Sequence, residues 1–539
     1  MIPQEFLRTV ATEHGVSNTE LTVLSMALDG KSILAIATQL EITPEAVRKR
    51  LGEVYKKFRI GGAGPGKLAK LQQILISLYQ KGSIQVNLSK TIQEDNAEIL
   101  TQPCQDWGEA PDVSIFYGRE EELTKLEQWI VSDTANATLR DRCRLVALLG
   151  MVGIGKTALS VKLGQKLQEH FDYVIWRSLR HPLLLEDLLG DILPILSPKR
   201  NLELGNSEDR ISQILEICKT SRCLIILDNL ETILRSGDFA GHYEEKYKEY
   251  SELLRRIGEE PHQSCLIVTS VEKPREVAFQ EGESLPVRSW QVAGLNEADA
   301  GEILKAKGLS DSTKWGMLIK LYRGNPLALK IVSTTIQEVF CGSVVQFLKQ
   351  RPTLVLRDMR NLIEEEFERL SELEKEITNW LAISDHPVSL KELQTNMWIS
   401  ESELKLFEAL ESLGRRSLIE KSIAGFTLPP VVMEYVKNLL VEQSAEEIIQ
   451  AMKTGDFKRM EIIKHYCWTL EEEDKTQKEG ESLSMMQQIL EVLRKIIRNP
   501  RSLREQLNNV LSEISKNSPL EIGYATDNLE AIIKELSSN

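Results

Sequence analysis

Short apolar runs alternate with helix-length segments through the middle of the chain, from Phe116 to about residue 295. The runs are "RLVALL" (144–149), "YVIW" (173–176), "CLIIL" (223–227), "CLIVTS" (265–270) and "RSWQVAGL" (288–295). Their length and apolar character are typical of strands. Strands that alternate with helices predict a parallel sheet with helices on both faces, so we expect an α/β domain here.

Helical patterns dominate on both sides of this segment. Residues 1–80 predict short helices, and residues 81–111 combine little periodicity with several turn-forming residues, which indicates a linker. Strand patterns become rare after about residue 296. One helix face there is formed by Met486, Ile489, Leu490, Leu493, Ile496 and Ile497, and Pro500 is expected to end that helix.

A glycine-rich segment directly follows the first strand-like run. Residues 150–157 match the phosphate-binding pattern GxxxxGK[ST]. Because glycine lacks a β-carbon, the backbone can turn its N–H groups around a polyphosphate, and the next helix presents its positive N-terminus. Lys156 is expected at the β- and γ-phosphates and the Thr157 hydroxyl at Mg²⁺. The predicted nucleotide-binding residues are Gly150, Met151, Val152, Gly153, Ile154, Gly155, Lys156, Thr157 and Ala158.

A second signal lies at the end of the run "CLIILDNLE", where Asp228 closes a buried strand. A carboxylate at this place holds the water shell of Mg²⁺ in P-loop enzymes, so Thr157 and Asp228 are the predicted metal-binding pair. The candidate catalytic residues are Asp228, Asn229 and Glu231. Asn229 can orient a water but cannot accept its proton. Glu231 is either that proton acceptor or a solvated carboxylate at the next helix.

Composition and charge argue against several classes of protein. The 539-residue chain has a formal net charge of −14, which argues against general nucleic-acid or membrane binding but allows a local basic patch. Three of its seven cysteines lie in apolar runs and none forms a CxxC pair, which favours buried thiols in a reducing compartment. The chain begins without a secretory signal pattern, and no stretch reaches the roughly 18 apolar residues of a membrane span. We therefore expect a cytoplasmic protein with no membrane partner.

Six motifs in a fixed order resemble an NB-ARC module, a member of the STAND class of P-loop ATPases. They are "FYGREEEL" (116–123), the glycine-rich loop, "LIILDNLE" (224–231), "LIVTS" (266–270), "GNPLALKI" (324–331) and "LGRRSLIEK" (413–421). The resemblance covers about residues 112–440. Within the family, the sequence is similar to bacterial, chiefly cyanobacterial, proteins. It implies ATP and ADP as ligands with Mg²⁺, closure over ADP, opening and self-association with ATP, and an effector or sensor protein as partner. Pro326 matches the family proline near the adenine.

Two positions depart from the family pattern. Val271 stands where the family usually has an arginine that senses the terminal phosphate, and Arg275 lies four residues further on. Leu428-Pro429-Pro430 stands where eukaryotic relatives carry a Met-His-Asp motif whose histidine contacts the ADP β-phosphate. Both departures predict weak discrimination between phosphates and slow hydrolysis.

Residues 17–60 resemble a LuxR-type helix-turn-helix. Thr43 and Pro44 form a helix start, and the predicted apolar face comprises Val47, Leu51, Val54 and Phe58. Arg48, Lys49, Arg50, Lys56 and Lys57 would lie on the remaining surface and contact DNA or a protein partner. Two roles stay open, a DNA-binding domain and a protein-interaction adaptor.

The patterns and resemblances together predict a multidomain α/β plus α architecture. Its parts are a helix-turn-helix domain (1–80), a linker (81–111), a P-loop nucleotide domain (112–295), a small helical domain (296–365), a winged helix (366–440) and a C-terminal helical region (441–539). The predicted function is an ATP/ADP-binding switch in defence or stress signalling, with slow ATPase activity. The alternative is a nucleotide-regulated transcription regulator that binds DNA through residues 17–60.

Overall fold

The structure is a computed structural model. It describes residues 16–28, 31, 33–40, 42–58, 71, 104–131, 142–197, 205–350, 357–384, 386–397, 403–455, 457–468, 485–516 and 518–538. The chain divides into two compact units, Met1–Leu100 and Thr101–Asn539.

The described residues of the first unit include the helices α1 (Asn18–Leu28), α2 (Ile33–Gln39) and α3 (Pro44–Lys57). The Thr43 hydroxyl accepts a hydrogen bond from the Ala46 N–H at 3.3 Å, so α3 begins as predicted. The apolar face of α3 is buried: Val47, Leu51, Val54 and Phe58 are each at most 7% exposed. The predicted periodicity of this helix is therefore confirmed.

A six-stranded parallel sheet forms the centre of the second unit. Its strands are β1 (Cys104–Asp106), β2 (Leu145–Leu149), β3 (Tyr173–Ser178), β4 (Cys223–Asp228), β5 (Cys265–Ser270) and β6 (Val287–Gln291), arranged in the order β1-β3-β4-β5-β2-β6. The predicted parallel sheet is confirmed. Strand β1 lies inside the segment predicted as a linker. This edge strand has three residues, none fully buried, so it leaves no apolar run in the sequence.

Helices cover both faces of the sheet, as the alternation of patterns predicted. They are α4 (Glu120–Val131), α5 (Lys156–Leu167), α6 (Leu185–Leu196), α7 (Ser207–Thr220), α8 (Glu249–Glu259) and α9 (Arg275–Gln280). Residues of α4 and α5 share one core with the sheet, and residues of α6, α7 and α8 share the other. The periodic residues Leu159, Leu163 and Leu167 of α5 are buried in the first core.

Helices predominate after the sheet. The first group comprises α10 (Glu297–Ala306), α11 (Trp315–Leu321), α12 (Pro326–Phe340), α13 (Val344–Lys349) and α14 (Arg357–Glu368). The next comprises α15 (Glu372–Ile383), α16 (Leu390–Asn396), α17 (Glu403–Arg415), the antiparallel hairpin β7 (Glu420–Ser422) and β8 (Gly425–Thr427), and α18 (Pro430–Thr454). The boundary predicted near residue 440 lies inside α18, because that helix runs without a break for 25 residues.

The last group comprises α19 (Glu461–His465), α20 (Met485–Ile496), α21 (Pro500–Ile514), α22 (Pro519–Ile522) and α23 (Ala525–Ser538). Helix α20 buries Met486, Ile489, Leu490 and Leu493, but Ile496 is 55% exposed. Helix α20 ends at Ile496, before Pro500, as expected, and Pro500 is the first residue of α21. The Asn499 side chain accepts hydrogen bonds from the first turn of α21, and a proline is well tolerated there because that turn needs no intrahelical N–H donor.

The sequence favoured buried thiols. Five of the cysteines are buried, whereas Cys104 and Cys341 are exposed. Among the helices that the structure describes, none combines the length and apolar character needed to cross a membrane.

Gly164 lets α5 approach the sheet closely. A β-carbon built there would lie 2.9 Å from Ile226 Cδ1 and 3.0 Å from the Trp107 ring, whereas one at Gly301 in α10 would come no closer than 3.7 Å to Trp315. Alanine normally stabilises a helix interior by about 0.5–1 kcal/mol relative to glycine. We expect Gly301→Ala to raise the thermal unfolding midpoint and Gly164→Ala to lower it. An equal rise in both variants would contradict this packing argument.

Candidate functional site

The glycine-rich loop connects β2 to α5. Gly150, Gly153 and Gly155 adopt φ angles of 150°, 75° and 99°, which L-residues with side chains rarely adopt. Helix α5 begins at Lys156 directly after Gly155, and no side chain caps it. The loop therefore leaves the positive N-terminus of α5 without a side-chain acceptor, as a phosphate-binding site requires.

The start of α12 packs against this loop. A β-carbon at Gly153 would lie 2.7 Å from Leu327 Cβ, and the Leu327 N–H donates to the Gly153 carbonyl at 3.2 Å. The Asn325 side chain donates to the Val152 carbonyl at 3.0 Å and also accepts hydrogen bonds that cap α12. Pro326, the predicted adenine neighbour, is the first residue of that helix. Sequence reasoning missed Asn325, although an Asn before a helix-starting Pro is a recognisable cap signal.

Lys156 is buried, with 7% of its surface exposed. Its Nζ donates to the Gly150 carbonyl at 2.8 Å and to the Met151 carbonyl at 3.1 Å. Burial lowers the pKa of Lys156, because a buried ammonium loses its hydration. Three carboxylates counteract this effect: Glu231, Glu366 and Asp228. Carboxylates therefore surround this ammonium, which lies at the loop expected to bind a polyphosphate.

Asp228 and Thr157 meet, as the sequence predicted. The Thr157 hydroxyl donates to Asp228 Oδ1 at 2.8 Å, and the Thr269 hydroxyl donates to the same oxygen at 2.6 Å. Burial raises the pKa of Asp228, and the two hydroxyl donors partly offset that rise. A hydroxyl beside a carboxylate at a strand end is a donor set that suits Mg²⁺. Thr269, which ends β5 with Ser270, was missed by sequence reasoning.

Glu231 carries an unsatisfied oxygen at this site. Asn229 has a left-handed backbone with φ of 64°, and its side-chain N–H donates to Glu231 Oε1 at 3.1 Å. Glu231 Oε2 is buried and has no hydrogen-bond partner among the residues that the structure describes. Because a buried polar atom without a partner is costly, this oxygen fits a site completed by a water bound next to a nucleotide.

Two other residues were not predicted from the sequence. Arg119, only 5% exposed, donates from one guanidinium nitrogen to the Ile154 carbonyl at 2.8 Å and to the Ala293 carbonyl at 2.9 Å. It therefore fixes the glycine-rich loop to the segment after β6. Glu366 comes from α14, and burial, followed by the nearby Glu231 carboxylate, raises its pKa to about 7. Arg119 belongs to the motif "FYGREEEL", whereas nothing in the sequence singles out Glu366.

Val271 and Arg275, the two residues discussed for the missing arginine, lie in different surroundings. Val271 is buried immediately after β5. Arg275 starts α9, where it lies over the Phe279 ring at 6.0 Å and forms an ion pair with Glu276 at 3.5 Å. Its side chain is half exposed, and these partners lie outside the Lys156–Asp228 cluster. We find no basis for Arg275 as a replacement for an arginine at position 271.

A cavity of about 810 Å³ opens beside the loop. It lies between the ends of β2 and β6 and the first residues of α12 and α18. Its lining combines apolar residues with charged ones; the apolar residues include Leu149, Val292, Tyr322, Ala328 and Pro429, and the charged ones include Lys273, Arg323 and Arg415. A cavity of this size with a partly apolar lining is typical of small-molecule sites. Pro429, at the position that the resemblance aligns with a histidine, thus lines the cavity and has no N–H to donate.

The predicted basic residues of the first unit all lie on α3. Three of them form ion pairs: Arg48 with Glu45 at 3.3 Å, Lys56 with Glu53 at 2.8 Å and Lys57 with Glu20 at 2.6 Å. Lys49 is exposed and Arg50 is half-buried. Part of the local positive charge is therefore offset by neighbouring carboxylates, which reduces the expected attraction to phosphates.

The unsatisfied oxygen of Glu231 gives a direct test. We expect Glu231→Gln to lower the rate of ATP turnover by about 100-fold, because an amide cannot accept a proton from the attacking water. The affinity for ADP should change little, since the loop and Lys156 are untouched. The exposed Glu245→Gln serves as control and should behave like the wild type. Unchanged turnover in the Glu231 variant would exclude this residue as the base.

Comparisons with known proteins agree with the loop geometry. Residues 119–233 match the NB-ARC domain family. An uncharacterized WD repeat-containing protein from Nostoc sp. is 48% identical over 361 residues, covering 65% of this chain and 28% of that protein. A disease resistance protein from Vitis rotundifolia is 24% identical over 249 residues, covering 43% of this chain and 16% of that protein.

Among solved structures, a STAND protein with a tetratricopeptide repeat sensor from Pyrococcus horikoshii is similar at 18% identity, with a TM-score of 0.33. That match covers 80% of this chain and 60% of the other. The chain spans less than a third of either sequence relative, at 28% and 16% of their lengths. The family match and the site geometry lead to one conclusion: the chain contains an NB-ARC domain at residues 119–233, with the fold of a P-loop NTPase.

Proposed function

We propose that the protein is an ATP/ADP-binding molecular switch of the STAND class. The observation that carries this proposal is the buried Lys156, which lies at the open N-terminus of α5 and faces carboxylates from other elements. The NB-ARC match over residues 119–233 supports it. The loop backbone and Lys156 hold the phosphates, and the cavity beside the loop takes the nucleoside.

Thr157 and Asp228 would hold the Mg²⁺ that accompanies the nucleotide. The ion supplies neutralisation of phosphate charge. The protein presents the Thr157 hydroxyl and the Asp228 carboxylate, whose oxygen atoms lie 2.8 Å apart. The Thr269 hydroxyl of β5 donates a hydrogen bond that holds this carboxylate in place. Glu231, held by Asn229, accepts the proton of the attacking water. The absence of an arginine at position 271 supports slow turnover, as befits a switch.

Nucleotide state reaches the rest of the protein through elements that contact the loop. Asn325 and Leu327 bond to the loop backbone, and Glu366 lies close enough to Lys156 to influence its charge. A change at the phosphates therefore acts on α12 and α14. We infer that ATP opens this arrangement and promotes self-association, and that an effector or sensor protein receives the signal. The likeness to plant disease resistance proteins supports a role in defence.

Bound nucleotide can be identified directly. The protein is purified without added nucleotide and denatured, and the released compounds are separated by ion-exchange chromatography. We expect close to one equivalent of ADP from the wild type and none from Lys156→Ala, because the buried ammonium would be lost. Lys166→Ala is a matched control on the same helix, where its side chain pairs with Glu127 near the surface.

Three results would bear on this proposal. ATP in place of ADP would support binding without efficient hydrolysis. Equal nucleotide in the Lys156 and Lys166 variants would show that the loop is not the binding site. A wild type that neither contains nucleotide nor binds added ADP or ATP would overturn the proposal.

The first unit is proposed to act as a helix-turn-helix adaptor, with DNA binding as the alternative. Arg48 and Lys49 are well exposed at the start of α3 and could reach phosphates. A gel shift with genomic fragments compares the wild type with Arg48→Gln/Lys49→Gln and with Lys31→Gln as control outside α3. We expect weak binding that is unchanged in the double variant. Tight binding lost only in the double variant would favour the transcription regulator.

A further inference from the structure

Glu272 follows Val271 at the end of β5 and is completely buried, at 0% exposure. Its Oε1 accepts a hydrogen bond from the Gly241 N–H at 2.6 Å. Its Oε2 accepts from two arginines, Arg416 at 2.6 Å and Arg369 at 3.3 Å. Burial raises the pKa of this carboxyl, and the two guanidinium groups counteract the rise. Neither arginine belongs to the sheet, because both come from segments far along the chain.

Arg416 is the centre of this cluster and is 2% exposed. Its Nη1 donates to Glu272, its Nε to Glu374 Oε1 at 3.1 Å and its Nη2 to the Asp238 carbonyl at 2.6 Å. Ser412 also donates to Glu374, at 2.6 Å. The guanidinium therefore joins the nucleotide domain, through Glu272 and Asp238, to α15 and α17. Lysine could not replace it, since the three partners bond to three separate guanidinium nitrogens and a lysine has only one nitrogen.

Arg369 links the same cluster to the nucleotide site. It lies just after α14, and its Nη2 donates to the Glu231 carbonyl at 3.0 Å and to the Leu234 carbonyl at 3.3 Å, besides Glu272. Glu231 carries the unsatisfied oxygen beside Lys156. Arg369 therefore holds the backbone of the segment that positions the candidate base.

The elements that carry these arginines also cover the glycine-rich loop. A small cavity against the loop brings together Met151 and Val152 of the loop, Ile363 and Glu366 of α14, Arg416 and Leu418 after α17, and Val432 of α18. These elements therefore pack against the loop that would hold the nucleotide. Moving them away from the loop would separate the arginines from Glu272.

We propose that Arg369 and Arg416 are positioning residues for the nucleotide site, which converge on Glu272 to hold the covering elements closed and thereby limit nucleotide release. The inference rests on the proposed function, since it presumes a nucleotide at the loop. Two arginines and two glutamates, Glu272 and Glu374, balance in charge while paired. Opening would separate the fully buried pair of Arg416 with Glu272 and the partly exposed pair of Arg369 with Glu272. These pairs would hold the site closed without a histidine or an arginine at the phosphate itself.

The test measures how fast a fluorescent ADP analogue leaves the full-length protein after mixing with excess ADP in a stopped-flow instrument. We compare the wild type with Arg416→Gln, Arg369→Gln and Arg360→Gln. Arg360 is a matched control, since it lies on α14 shortly before Arg369 but pairs with Glu442 of α18 at 2.8 Å and does not reach Glu272. We expect release at least 10-fold faster in the Arg416 and Arg369 variants and less than 2-fold faster in the control.

A double variant tests whether the effect passes through Glu272. If Arg416 acts through Glu272, adding Arg416→Gln to Glu272→Gln should accelerate release less than it does in the wild type, because Glu272→Gln has already broken that pair. If Arg416→Gln does not fold, as judged by its circular dichroism melt, Arg369→Gln decides the matter, because that side chain is 18% exposed and easier to replace.

Release at the wild-type rate from folded Arg369 and Arg416 variants would overturn the inference and leave the proposed function intact. Equal acceleration in the Arg360 control would also overturn it, because a general loss of rigidity would then explain the effect. A wild type that does not bind the ADP analogue at all would refute the proposed function itself.

Discussion

A single buried ammonium, that of Lys156, sets the electrostatic requirement that the surrounding structure meets. Burial lowers the pKa of an ammonium, so the charged form needs nearby acceptors and carboxylates. Loop carbonyls supply direct hydrogen bonds, while Asp228, Glu231 and Glu366 supply opposite charge. Asp228 ends β4 and Glu231 follows it, whereas Glu366 lies on α14, beyond the sheet. Lys156 is therefore influenced both by the nucleotide domain and by a helix outside the sheet.

The same logic applies to the cluster around Glu272. A carboxylate at 0% exposure is tolerated only because Arg416, Arg369 and a backbone N–H satisfy its two oxygens. Buried charge of this kind specifies one arrangement of the surrounding elements, since a small displacement leaves a charge without a partner. One buried cation at the loop and one buried carboxylate behind it thus couple the site to α14, α15 and α17. A switch requires this coupling between the ligand and distant helices.

Some residues of the site could have been found from the sequence and others could not. Asn325 occupies a cap position before a helix-starting proline, and Thr269 ends a strand next to the strand of Asp228 in the sheet. Both follow from local rules once the sheet order is known. Glu366 could not be found in this way, because its distance from Lys156 depends on how α14 packs. Arg416 stands in a recognisable motif, but nothing in that motif distinguishes it from the neighbouring Arg415, which pairs with the exposed Glu411.

The sequence by itself determined the parallel strands, the glycine-rich loop, the helix that follows it and the pairing of Thr157 with Asp228. Each depends on local geometry: apolar runs of strand length, glycines that permit positive φ angles, and residues at strand ends. Only the tertiary structure decided the edge strand at Cys104–Asp106, the roles of Glu366 and Arg119, and the meeting of two arginines at Glu272. These features join residues far apart in the chain. Their energies come from burial and charge pairing, which exist only after the elements have packed.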